Sequence, residues 1–529
     1  MPTMDEQADE RRKCRSTHLI ALAVLMILSA LFFLNGMSKP PTRDEQMYCT
    51  AGVLMAQGKT IYRDFAYVSQ LPYHPLLLAT LYRGLGTTHY LLTARAVSIL
   101  CECAIMVCIV GVFRGAFGEQ KRAGTLFGTL GALFYGCNPV VYMANGYAWN
   151  HDVVLLCVLL ALWLTLTADA GARYFFMRFA AIGGLLTIAN CMRITTTLIW
   201  GLFLFYLFFA AGVERRHRLQ VGLAFFVGTA VVLLWPLSVF AQAPHACLLN
   251  IVTLPKLYAQ WHHEQGSVHN KVDLSLICLT TLGYLSLLTA MLSAFVGSAL
   301  TRKTSCSPWR SRQRVLAALV GGFVVIAFVP PTMWQQYWAV PVPLMVLSMA
   351  YPLQDVWRKR GQYLSARLAI ALIMGCALLV IGAHAVTVWQ APPIFSPIEW
   401  APIRLHRLAR TISHTVEESG PILTVSPLYA LEGGLPIYPE LATGAIVFRI
   451  ADLLSADVRQ RTKTVGPSSL GHILREHPPG AILIGTETGF LEEIDASFSK
   501  YVPSTWRVSV LDQGIPDQKV RLYYDPNEG

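Results

Sequence analysis

Apolar runs long enough to cross a bilayer recur along most of this chain, with polar stretches of a few residues between them. Covering roughly 30 Å of hydrocarbon takes about 20 apolar residues in a helix. On that scale the pattern predicts eleven spans, at 19–34, 89–112, 123–142, 152–168, 177–192, 194–212, 219–240, 274–299, 315–331, 338–353 and 363–388. The fifth and sixth are short and read as a pair. The first resembles a secretory signal in length, but Asn35-Gly36-Met37-Ser38-Lys39 is a poor cleavage site, so it reads as a retained helix. In the stretch that follows, 75–85 has the spacing of an amphipathic helix lying at the surface.

The pattern changes after Trp389. Ala391-Pro392-Pro393 and Pro397 form a linker, and 399–418 reads as a surface helix. Short β-rich runs at 421–427, 481–486, 506–511 and 520–525 alternate with helical stretches near 468–477 and 490–499. The expectation is a basic tail at 1–18, an α-helical polytopic membrane module at 19–389, and a small α/β domain at 390–529 that folds separately. No Gly-rich phosphate loop opens any of these helices; Gly433-Gly434 and Gly485 read as turns.

Composition sharpens the class. Only 14% of residues are charged, against about 25% in soluble domains. The net charge of +11 is not a nucleic-acid footprint, because residues 390–529 carry −4 and the rest +15, spread over short loops. With the amino terminus in the cytosol, the cytosolic segments hold 20 Lys+Arg in 67 residues and the opposite segments 8 in 103. That contrast supports an odd number of spans with an exported carboxy terminus in a plasma (inner) membrane. None of the twelve cysteines lies beyond Cys376, so the carboxy-terminal region has no disulfide framework, and no zinc-type or redox pair is spaced for one.

On this topology the chemically interesting polar groups fall on the external side. The first external loop, 36–88, holds Asp44 and Glu45 behind Pro40-Pro41, with Tyr62, Arg63 and Asp64 further on. The prolines keep the chain extended ahead of the acids. Asp152 begins the fourth span after Asn150 and His151, and Arg193 sits between the fifth and sixth. Loop 241–272 adds Lys256, Tyr258, His262, His263, Glu264 and Lys271, and Gln336 and Tyr337 precede the tenth span. Acidic groups at a membrane boundary are costly and mark function. Arg95 and Glu102 are the obvious mid-span charges, and no internal repeat accompanies them as a transporter would require.

Pro41…Asp44-Glu45…Tyr48…Gly52…Gly58…Tyr62…Asp64…Pro72…Pro75 resembles the first external loop of GT-C glycosyltransferases of the protein O-mannosyltransferase and aminoarabinose-transferase kind. The resemblance covers about 19–389; Asp152 is similar to a second acidic position, and Gln336-Tyr337…Pro341…Pro343 to a late external turn. It implies a polyprenyl-phosphate sugar as donor, an extracytoplasmic lipid, glycan or protein as acceptor, and the acidic pair at the start of the catalytic loop. The Trp-Trp-Asp motif of oligosaccharyltransferases is absent.

The chemistry fits these residue types. A phosphate leaving group needs charge neutralisation, whereas the acceptor must lose a proton to a general base worth roughly 10²–10⁴-fold. Asp44 is the expected base, with Glu45 orienting it or meeting acceptor and Asp152 as a second catalytic acid or a helix cap. Arg193, Lys256, Lys271 and Arg63 are expected around the donor phosphate, and Tyr62, His262, His263, Gln336 and Tyr337 along the substrate groove. A divalent metal is conceivable, but His262-His263-Glu264 lacks a metalloprotease spacing, so no metal ligand set is assigned. An O-antigen ligase or polymerase is the second reading, with loop 241–272 as its catalytic element; a lipid-linked-sugar transporter is the third.

Overall fold

A computed structural model describes residues 4–167, 174–209, 215–268, 270–301, 310–389, 396–416, 420–486, 492–512 and 519–527. It is mostly helical. Eight helices are long and apolar enough to cross a membrane, and two shorter apolar ones, His151–Leu166 and Ile194–Phe209, lie among them. Together with helix Lys121–Gly136, helical segments occupy all eleven predicted stretches. Several are broken. Asn138 caps a new short helix, Pro139–Ala144, by accepting from the amides of Val140 and Val141, so the third stretch ends at Gly136. Thr281 likewise caps Leu282–Leu300 and separates it from Lys271–Leu279. The tenth stretch is the short helices Val342–Ser348 and Ala350–Lys359.

The helices divide into an interior set and a rim. Segment 335–359 is nearly all buried, whereas Leu219, Leu223, Val231, Leu364, Leu368 and Leu378 are exposed apolar side chains on rim helices, as a lipid-facing surface requires. Small residues set the closest approach. A Cβ on Gly183 would lie 2.1 Å from the carbonyl oxygen of Phe225, and one on Gly228 would lie 1.9 Å from that of Ala180. Helices Phe175–Met192 and Arg215–Gln242 therefore cross backbone to backbone.

The stretch after the first helix is more ordered than its prolines suggest. Thr42 is extended, and its hydroxyl accepts from the Glu45 amide at 3.3 Å while Glu45 Oε2 accepts from the Thr42 amide at 3.0 Å. This capping box starts helix Arg43–Ala56, which was expected as loop; the Thr-x-x-Glu spacing is its visible signature. Helix Tyr73–Leu85 follows at the expected amphipathic stretch.

Beyond residue 396 the chain forms helix Ala401–Val416 and a four-stranded sheet: β1 (Ile422–Leu423), β2 (Ala481–Ile484), β3 (Arg507–Asp512) and β4 (Lys519–Tyr524). The order is β1-β2-β4-β3, with β1 and β2 parallel and the other pairs antiparallel. Helices Pro467–Glu476 and Glu492–Ser499 lie where expected. The linker at 391–393 lies outside the described residues. The sheet has a core of its own around Leu423, Phe448, Ile482 and Phe498. A second apolar core runs without a break from the membrane helices through Leu405, Ile412 and Leu428. Backbone contacts reinforce this join: the Leu428 amide donates to Gln46 Oε1 at 3.1 Å, and the Leu91 amide to Glu432 Oε1 at 2.8 Å.

Candidate active site

The capping box puts Asp44 and Glu45 in the first helical turn, where exposed backbone amides favour negative charge. Their side chains then part. Glu45 is fully buried and clamped by Arg95, with Nε 2.7 Å from Oε1 and Nη2 2.8 Å from Oε2; the Ala148 amide also donates to Oε1 at 2.8 Å. Arg95 Nη1 donates to the carbonyls of Gly36 and Lys39, each at 2.7 Å. The mid-span arginine thus ties the end of the first helix to the start of the next.

Asp44 instead lines a cavity of about 340 Å³ together with Tyr48, Gln70, Trp149, Arg193, Tyr258 and Tyr337. The wall is mixed. Asn150, His151, Trp334, Gln336 and Ile446 complete much of it, the last from the carboxy-terminal region. Burial pushes the phenol of Tyr48 up, and Asp44 adds to the shift while Arg193 opposes it, so these groups share one electrostatic environment. The guanidinium of Arg193 lies 4.7 Å from the ring centre of Tyr337. Arg193 and Tyr337 also line a narrow apolar cleft with Val154, Phe323, Ile326 and Val340.

Three contacts hold the walls in register. Asn150 Nδ2 donates to Gln70 Oε1 and to the Met192 carbonyl, both at 3.0 Å. Asn250 Oδ1 accepts from the Tyr67 amide at 2.9 Å, clipping loop 241–272 to the first loop. Lys39 Nζ donates to the carbonyls of Tyr142, Met143 and Asn145 at 2.7–2.9 Å. Burial and Arg95 bring the Lys39 ammonium down to about 7, with Glu45 opposing.

The other predicted residues distribute unevenly. Gln336, Tyr337 and Arg193 reach the cavity. Asp152 is buried beside it but faces inward: its Oδ1 is 2.8 Å from His151 Nε2, and Glu102 of the neighbouring helix adjoins it. Tyr135 donates its hydroxyl to Glu102. Ligand atoms of Glu102, His151 and Asp152 lie within 4.8 Å of one another, a donor set that could hold a cation. Tyr62 is fully buried at φ 67°, and its hydroxyl donates to the Gln70 carbonyl at 2.6 Å, so it shapes the loop from behind. His262 is buried next to Tyr258 and Trp334, its Nδ1 2.7 Å from Ser267 Oγ; burial, with Arg449 and Arg43, lowers its pKa.

Four expected contacts are placed elsewhere. Lys256 and His263 are exposed on helix Leu254–Glu264 and do not line the cavity. Lys271 Nζ donates to the carbonyls of Phe328 and Pro330 at 2.8 and 2.7 Å, closing the end of helix Arg310–Phe328. Arg63 is exposed and paired with Asp64 at 2.9 Å.

No protein-family model and no curated protein sequence matches the chain. Solved structures do. ArnT from Cupriavidus metallidurans bound to undecaprenyl phosphate superposes with a TM-score of 0.61 at 12% identity, covering 96% of this chain and 97% of that one. The apo form of the same protein gives 0.60. The fold is that of ArnT, a GT-C enzyme. The Archaeoglobus fulgidus oligosaccharyltransferase in complex with Zn and sulfate gives 0.54 at 11% identity, covering 95% of this chain and 73% of that one. The ArnT match leaves only a few per cent of either chain uncovered.

Proposed function

We propose that this chain is a membrane glycosyltransferase that moves a sugar from a polyprenyl-phosphate donor to an extracytoplasmic acceptor, with Asp44 as general base. The observation that carries this reading is the parting of the acidic pair. Glu45 is consumed by Arg95, so Asp44 is the member of the pair that reaches a cavity also lined by Arg193 and Tyr337. The carboxylate of Asp44 takes the proton of the acceptor hydroxyl or amine as that atom bonds to the anomeric carbon. The anomeric C–O bond to phosphate breaks, and polyprenyl phosphate leaves with its added charge facing Arg193. Undecaprenyl phosphate bound to ArnT supports the same donor class. The amino terminus is then cytosolic and residues 390–529 external, where Ile446 helps close the acceptor side.

Asp44→Asn tests the assignment, because Asn keeps the shape of Asp but cannot accept the proton. Purified variant assayed with labelled polyprenyl-phosphate sugars should lose at least about 10²-fold in kcat while its thermal stability holds. Turnover within a few-fold of wild type would sink it and return attention to loop 241–272 and the ligase-type reading.

A further inference from the structure

Three side chains from three separate elements meet at the external end of helix Tyr90–Phe117, and none of them lines the catalytic cavity. His89 is the cap residue of that helix, His406 lies in helix Ala401–Val416, and Glu432 ends helix Leu428–Glu432. One ligating atom from each lies within 4.8 Å of the other two. His406 Nδ1 is 2.9 Å from Glu432 Oε2, and the two imidazole rings sit 3.7 Å apart, tilted by 31°. Glu432 is buried, with its other oxygen held by the Leu91 amide. A His–Glu ion pair would account for two of these residues. It leaves the third unexplained: Nδ1 of His89 is buried against them without a hydrogen-bond partner.

We propose that His89, His406 and Glu432 form a divalent-metal site of the zinc class that fastens the carboxy-terminal region to the membrane module. Two imidazoles and a carboxylate match the ligand set of a three-protein-ligand zinc site, and both histidines are partly exposed, which leaves room for water at the fourth position. The Leu91 amide orients the carboxylate, as outer partners of metal ligands do. Binding displaces the proton between His406 and Glu432, turns the two rings out of their stack, and engages the orphaned nitrogen of His89. Sequence spacing hides such a site, because the ligands are separated by 317 and 26 positions. The clamp also bears on the cavity, since the region it fastens supplies Ile446.

The full-length protein in detergent, stripped by chelator and titrated with Zn²⁺ or Co²⁺, decides the matter without reference to the reaction. Wild type should bind one more equivalent than His89→Ala/His406→Ala, with a tetrahedral Co²⁺ absorption that the double variant lacks. Each single variant should weaken binding by more than the roughly 10-fold that losing an outer partner costs. In wild type, zinc should slow hydrogen exchange of peptides around residues 89, 406 and 432 together. Equal metal content in wild type and double variant overturns the proposal, as does bound zinc that leaves exchange in those peptides unchanged. Should the double variant fail to fold, the wild-type exchange measurement alone carries the decision; a wild type that binds no zinc refutes the site outright.

Discussion

Arg95→Leu should destabilise this protein more than any surface change. Arg95 and Glu45 are both fully buried, and the guanidinium donates to both carboxylate oxygens and to the carbonyls of Gly36, Lys39 and Pro40. Leucine keeps the apolar stem but leaves the carboxylate with only the Thr42 and Ala148 amides and the Thr42 hydroxyl as partners. Removing one member of a buried pair costs about 3–5 kcal/mol, most of it the unpaired charge. With a folding entropy of about 2.1 cal/mol/K per residue over 529 residues, that cost corresponds to a fall in Tm of roughly 3–5 °C. Thermal unfolding in detergent, followed by tryptophan fluorescence, reads it.

The double variant Glu45→Leu/Arg95→Leu sharpens the test. Removing both charges abolishes the unpaired carboxylate, so its loss should be smaller than the sum of the singles by about 0.5–3 kcal/mol. Strict additivity, or a single Arg95→Leu variant melting within about 1 °C of wild type, would refute the reasoning that this pair anchors the loop.

Three other outcomes follow. A reporter active only outside the cytosol should work when fused after Gly529 and stay silent when inserted after Glu119, as the uneven Lys/Arg distribution requires; equal signals would overturn the topology. Gly183→Ala places a methyl 2.1 Å from the Phe225 carbonyl and should lower stability by about 1–3 kcal/mol, read as a lower Tm in the same assay. Lys39 has a folded pKa of about 7, below its ordinary 10.5, so the unfolded chain binds more protons across that window. Its contribution therefore makes stability rise from pH 7 to 10.5, and Lys39→Met should flatten the Tm-against-pH slope there.

What could be read from the sequence divides along physical lines. Span-length apolar runs and the Lys/Arg bias depend on local composition, and helices occupy all eleven predicted stretches. The β-rich runs near 481, 507 and 520 were legible for the same reason, since alternation is local. Helix Arg43–Ala56 was hidden by its prolines, although Thr42 and Glu45 stand at capping-box spacing. Partnerships across the chain were not legible. Arg95 and Glu102 read only as mid-span charges, because Glu45, 50 positions from Arg95, and Asp152 become their neighbours through the fold. Lys271 looked like a phosphate ligand because loop position says nothing of the two carbonyls it satisfies. Asn250 and Ile446 carry no motif; only folding brings the one to Tyr67 and the other to the cavity.

Asp44 and Glu45 are adjacent in sequence and alike in chemistry, yet the fold gives them opposite fates. The reason is helical geometry. Successive residues on a helix project about 100° apart, so when the N3 carboxylate turns back to close the capping box, its predecessor must point away from that contact. Arg95 fixes the first direction, and the second faces the cavity. An acid pair at a capped helix start therefore sorts itself into one member held by the cap and one turned away from it. Here Glu45 anchors the helix start while Asp44 lines the cavity.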